Sequence, residues 1–225
     1  MPFPIRDLWH CHPAADRLSL PGVTTRSRTP ELTAEDRQAL LRLARGTLEA
    51  AVAGKTLPAA PEPGGPGSIL ETPAAAFVTL EEAGDLRGCM GILEPERPLR
   101  ETVVAAATSA ALRDPRFWPV EADELGRITV EVTVLGPMVA IDDPLDFDPA
   151  TEGVVVERGM RRALLLPQVA RERGWDAPTT LEAVCHKAGL PGDAWRLPGT
   201  TVLVFGAAEA AEVAEAGSGE AGEKR

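Results

Sequence analysis

The chain contains no tyrosine, and its four tryptophans and five phenylalanines bring aromatic content to only 4% of 225 residues. Leu, Val and Ala must therefore supply the packing. Cysteine is scarce as well. Cys11, Cys89 and Cys185 form an odd set that builds no disulfide framework, which fits a reducing compartment. No run approaches the ~20 apolar residues of a membrane span. The opening MPFPIRDLWHCHPAAD lacks the basic stretch and apolar core of an export signal. The expectation is a cytoplasmic protein with no membrane contact. Positive charge is also short, at 23 Lys and Arg against 34 Asp and Glu, for a net charge of −11. Such a chain repels phosphate backbones and anionic lipid, which argues against a nucleic-acid partner. Five glutamates fall in residues 209–225, so the folded body is less acidic and can still carry a local basic patch.

What is present is ordinary globular composition, 44% hydrophobic and 25% charged, in a length that suits one generous domain. Residues 1–32 are proline-rich without a period and read as an extended arm. Thr33 and Asp36 form a capping-box pattern ahead of a helix that runs to Ala53, with Gly54 closing it. KTLPAAPEPGGPGSILETP is a loop; it is glycine-rich but lacks the Lys-Ser/Thr of a phosphate-binding loop. FVTLEEAGDLRGCMGIL predicts a hairpin turning at EAGD. Pro98 opens a helix through Leu112, which RDPRFWPV breaks. In RITVEVTVLG, Ile128, Val130, Val132 and Val134 share one face of a strand, while Thr129, Glu131 and Thr133 share the other. GVVVERGMRRALLLP predicts a second hairpin turning at Arg158–Gly159. A short helix ending at Gly174 follows, then a helix capped by Thr179 or Thr180, then a closing strand in TTVLVFG. Residues 207–225 read as an acidic, mobile tail. Hairpin strands and separated helices give an α+β domain with a largely antiparallel sheet and flanking helices.

The hexapeptide LRGCMG, 86–91, resembles the LRGCIG motif of the AMMECR1 domain family, with Met90 in place of the usual isoleucine. The likeness continues through LRETVVAAATSAALRDPRFWPV, ELGRITVEVTVL, LLLPQVARERGWD and LEAVCHKAGLP, covering roughly residues 33–206 in order. The resemblance implies an α+β domain with a larger and a smaller lobe and the hexapeptide near the cleft between them. It also implies a place in the bacterial and archaeal AmmeMemoRadiSam system, whose other components are a Memo-like protein and a radical S-adenosylmethionine enzyme. It implies the fold more sharply than a reaction, and no cofactor.

Chemistry concentrates at the hexapeptide. Residues two apart share a strand face, so Arg87, Cys89 and Gly91 are expected to line one side. An adjacent guanidinium draws a thiol towards thiolate, and Gly88 and Gly91 leave room for a ligand to approach the backbone. Glu131 is the matching general base, able to pair with Arg87 if the two strands are neighbours. Arg116, in RDPRF, can bind an anion bidentately or complement the preceding helix end. Cys89, Arg87 and Glu131 are thus the catalytic candidates, and Gly88, Gly91 and Arg116 the ligand-binding ones. Equally, Cys89 can be a small buried residue and Glu131 a solvated one. His186 adjoins a helix end and is assigned no role. HCH at 10–12 cannot close a tetrahedral metal site by itself. Two functions follow: a thiol-dependent enzyme acting on a small anionic molecule, or a non-catalytic binding module.

Overall fold

Thr33 begins helix α1, Ala34–Val52, with the expected capping box: its hydroxyl accepts from the Asp36 N–H, and the Asp36 carboxylate accepts from the Thr33 N–H. The structure is a computed structural model and describes residues 28–55 and 68–213. The HCH run at 10–12, most of the arm and the end of the tail lie outside the described residues. Strands β1, Ala75–Glu82, and β2, Asp85–Ile92, form the first hairpin. Its two-residue turn, Ala83–Gly84, has both φ angles positive, which matches the twist of the flanking strands. Helix α2, Leu99–Leu112, follows, then β3, Ile128–Leu135, and the short β4, Val139–Ala140. The second hairpin joins β5, Glu152–Arg158, to β6, Arg161–Leu165, and turns one residue later than expected, at Gly159–Met160. Helices α3, Pro167–Arg173, and α4, Ala177–Lys187, precede the last strand, β7, Thr201–Ala211.

Two boundaries differ from expectation. Helix α4 is capped by Asp176, whose carboxylate accepts from the Thr179 N–H at 2.9 Å; the Thr180 hydroxyl instead bonds the Asp176 carbonyl. Strand β7 takes in residues 207–211, which composition assigned to the tail. Low complexity hid an alternation in which Ala208 and Ala210 are buried while Glu209 pairs with Arg171.

The sheet runs β2-β1-β3-β7-β5-β6, with β4 also paired to β7, and every pairing is antiparallel. One face of β1 and β3 packs beneath α1 and α2. There Val78, Leu80, Val130, Val132 and Val134 meet Leu40, Leu48, Val103 and Ala107. The alanines of α2 let it lie close, and Gly88 completes the fit: a Cβ there would overlap the Ala110 carbonyl oxygen at 2.4 Å. A second core joins α4 to β5, β6 and β7 around Leu181, Val184, Cys185 and Trp195. A third cluster, of Phe77, Leu135, Val155, Leu164, Leu166 and Phe205, unites the two halves of the curled sheet across its inner face. That face carries the polar side of β3, so Thr133 is fully buried rather than solvated. Among the described residues no helix is long and apolar enough to cross a membrane.

Candidate functional site

Cys89, Thr79 and Glu131 occupy one row across three strands of the inner face, Thr79 being the register partner of both others. All three are half-buried. The Thr79 hydroxyl donates to the Cys89 sulfur at 3.4 Å. Glu131 stands two strands from Cys89, or about 10 Å at ordinary strand spacing. Gly91 belongs to the same face, where its missing side chain admits the Phe77 ring; a Cβ there would meet that ring at 2.4 Å.

The expected grouping of Arg87 with Cys89 does not form. The register between β1 and β2 shifts at Leu80/Glu81, leaving Arg87 as an extra residue between Leu86 and Gly88. A bulge of this kind re-aims its side chain. Arg87 turns onto Glu124, with Nε–Oε1 at 2.6 Å and Nη2–Oε2 at 3.1 Å, and Nη1 donates to the Trp118 carbonyl at 3.0 Å. The Arg87–Glu131 pairing is likewise not made. Glu131 instead accepts from Gln168 Nε2 at 2.9 Å and from the Thr133 hydroxyl at 3.1 Å.

Arg116 takes the place that sequence reasoning gave to Arg87. Asp114, buried just beyond α2, accepts the Cys89 N–H at 2.8 Å and holds Arg116 through Nε at 2.9 Å and Nη2 at 2.6 Å. Arg116 Nη2 also donates to the Cys89 carbonyl at 3.2 Å. The RDPRF segment thus grips both sides of the Cys89 peptide. Burial alone would raise the Asp114 carboxyl. The hydrogen bonds from Arg116 and from the N–H groups of Cys89 and Arg116 outweigh it and hold the group below the usual carboxylate range.

Burial pushes the Cys89 thiol above the ordinary cysteine range, and Asp114 adds to the rise. The Thr79 hydrogen bond pulls the other way, followed by the positive charges of Arg116 and Lys187. Lys187, the last residue of α4, is the cation that sequence reasoning missed. Desolvation lowers its pKa; a Cys89 thiolate opposes that shift and Arg116 reinforces it. As a whole residue Lys187 is nonetheless exposed. Two cations from distant segments therefore bear on one sulfur whose ionisation burial opposes.

Burial also raises Glu131, reinforced by the charges of Glu209 and Glu81 and opposed by the Gln168 and Thr133 hydrogen bonds. His186 faces elsewhere in function: it lines a separate cavity of about 330 Å³ with Pro178, Glu182, Gly192, Asp193, Trp195 and Arg196. Among the described residues no cluster of three or more His, Cys, Asp or Glu is arranged to hold a metal. The one available signal for Lys187 was its position in the last turn of α4, which reads equally well as a charge complementing the helix dipole. Gln168 and Glu124 carried no signal at all.

Comparison with known proteins agrees with this architecture. A protein of Methanothermobacter thermautotrophicus is 50% identical over 135 residues, 57% of this chain and 70% of the relative. One from Aeropyrum pernix is 44% identical over 188 residues, 79% of each chain. The crystal structure of an uncharacterized protein from Pyrococcus horikoshii superposes with a TM-score of 0.71 at 37% identity, covering 79% of this chain and 92% of that one. The AMMECR1 family model matches residues 41–210, spanning the hexapeptide, RDPRF and Lys187 alike, and the chain belongs to the AMMECR1 family.

Proposed function

We propose that the protein binds a small anionic molecule over Cys89, with Arg116 and Lys187 as the recognising cations. The observation that carries this reading is the state of Arg116. Its side chain is 52% exposed, and its Nη1 makes no hydrogen bond among the described residues although Nε and Nη2 are engaged. A guanidinium anchored on one edge and open on the other is pre-organised for a carboxylate or phosphate, so little rotamer freedom is lost on binding. Because burial raises the Cys89 pKa, the thiol contributes shape and a weak donor more than charge. The function is then that of a binding module. The sequence resemblance supplies its macromolecular setting: a Memo-like protein and a radical S-adenosylmethionine enzyme, with which such a module would exchange its ligand.

Thiol chemistry is a second reading, favoured by the Thr79 hydroxyl, which donates to the Cys89 sulfur at 3.4 Å, and by the positive charge of Lys187, which stabilises the thiolate. In that case Cys89 is the nucleophile, Lys187 its base, and Glu131 a further proton carrier.

Alkylation by two reagents of matched size tests the binding reading. Iodoacetate and iodoacetamide modify the same sulfur but differ in charge. The ratio of their rates at Cys89, read by peptide mass spectrometry, is expected to exceed that in the unfolded chain several-fold and to collapse in Arg116→Ala and Lys187→Ala. A ratio equal to that of the unfolded chain would overturn anion recognition. Thiol catalysis requires in addition that Cys89→Ala abolish conversion of a bound molecule while leaving its affinity intact.

A further inference from the structure

The inner face holds a second polar group that anion recognition leaves unused. Gln168, in the first turn of α3, is only 9% exposed, and its Oε1 is fully buried without a hydrogen-bond partner. Its Nε2 donates both to Glu131 and to the Thr133 hydroxyl, each at 2.9 Å. Buried acceptors are seldom left unmatched, because the group then bears its desolvation cost with no compensating bond. Glu131, beside it, is a half-buried carboxylate that no cation pairs with among the described residues. The one basic side chain of α3 near this face, Arg171, goes to Glu209, at 3.1 and 3.2 Å. Glu81 and Glu209 add negative charge from β1 and β7. This end of the row therefore has acceptors and negative charge in excess and lacks a donor. At the other end, Arg116 donates to the Cys89 carbonyl at 3.2 Å, and Lys187 adds positive charge. Thr79 between them is short and half-buried, forming a low floor that joins the two ends.

Building on the anion-binding reading above, we propose that Glu131 and Gln168 form a subsite for a protonated amine, so that the natural ligand carries an anionic group at one end and an ammonium group at the other. The two groups lie about two strand spacings apart, near 10 Å. The amine would donate to Glu131 while replacing the missing cation, and a small shift of the Gln168 amide would bring its buried Oε1 into the same contact. An elongated amino acid or a short peptide-like molecule has this chemistry, whereas a dicarboxylate does not, because its second charge would face Glu131, Glu81 and Glu209.

Protection of Cys89 from iodoacetamide reads this directly, using γ-aminobutyrate, ε-aminohexanoate, hexanoate and hexylamine as probes on the full chain. The expected result is protection by ε-aminohexanoate at a concentration at least five-fold lower than hexanoate, with γ-aminobutyrate too short to share the advantage. Glu131→Gln should remove the advantage and leave protection by hexanoate unchanged. Gln168→Leu should reduce it, with circular dichroism confirming the fold of both variants. If hexanoate and ε-aminohexanoate protect equally, or if Glu131→Gln leaves the difference intact, the amine subsite is overturned while anion recognition stands. If neither carboxylate protects and iodoacetate shows no preference, the anion reading falls and takes the subsite with it.

Discussion

Arg87 and Arg116 make an instructive pair. Both are bidentate to a carboxylate, and both place a guanidinium near the ring of Phe117, at 6.0 and 5.3 Å. Their surroundings differ. The Arg87 and Glu124 side chains are 15% and 16% exposed, whereas Arg116 is 52% exposed over an Asp114 only 2% exposed. Arg87 spends its donors on Glu124 and on the carbonyls of Trp118 and Pro119, so it clamps a turn. Arg116 leaves one edge free for solvent or ligand. Position in a motif therefore says less about a residue's role than where its donors end up.

The largest expected effect breaks the second of these pairs. Asp114→Ala would leave both the Cys89 N–H and Arg116 without their buried partner, at a cost of about 3 kcal/mol. Denaturant unfolding is expected to show this loss well above that of Glu124→Ala, for which about 1 kcal/mol is reasonable because that carboxylate is more exposed than Asp114, at 16% against 2%. Equal losses would erase the contrast. Asp114 also sets an acid limit. Its depressed native pKa contributes stability above the ordinary aspartate range, and that contribution is lost as pH falls through the native value. Asp114→Asn should flatten the acid side of the stability profile.

Glu131 works in the opposite sense and more weakly. With its native pKa raised, the folded chain holds a proton that the unfolded chain has already released, so stability declines as pH climbs from the ordinary glutamate range through the raised value. Glu131→Gln should therefore melt higher than the parent at neutral pH, and the gain should vanish near pH 4. A gain that persists in acid would contradict the assignment to ionisation. The smallest effect concerns ligand chemistry in Arg87→Ala. The variant should lose some stability, yet keep the iodoacetate preference of the parent.

Much of the frame was legible in the residues. The capping box at Thr33 and Asp36 and the valine alternation of β3 are local patterns, and local hydrogen bonds or burial enforce them. The site was legible only in part. The sequence nominated Cys89 and Arg116, which the structure brings into contact, but the i, i+2 rule placed Arg87 beside the thiol because it assumes unbroken pairing. The bulge that turns Arg87 away depends on how β2 meets Glu81 of a neighbouring strand, which no window along β2 contains. Lys187 and Gln168 act on Cys89 and Glu131 from far along the chain, so no window along β2 or β3 contains them. The curl of the sheet explains why Thr133, polar and strand-borne, is buried.

The ionisation of Cys89 decides whether Arg116 and Lys187, rather than Arg87, govern this sulfur. Its alkylation rate by iodoacetamide would be followed against pH by peptide mass spectrometry in the parent and in the Arg87→Ala, Arg116→Ala and Lys187→Ala variants. The midpoint is predicted to lie above the ordinary cysteine range, to rise further when either Arg116 or Lys187 is removed, and to stay put when Arg87 is removed. A midpoint below that range, or one that moves with Arg87 alone, would contradict the account.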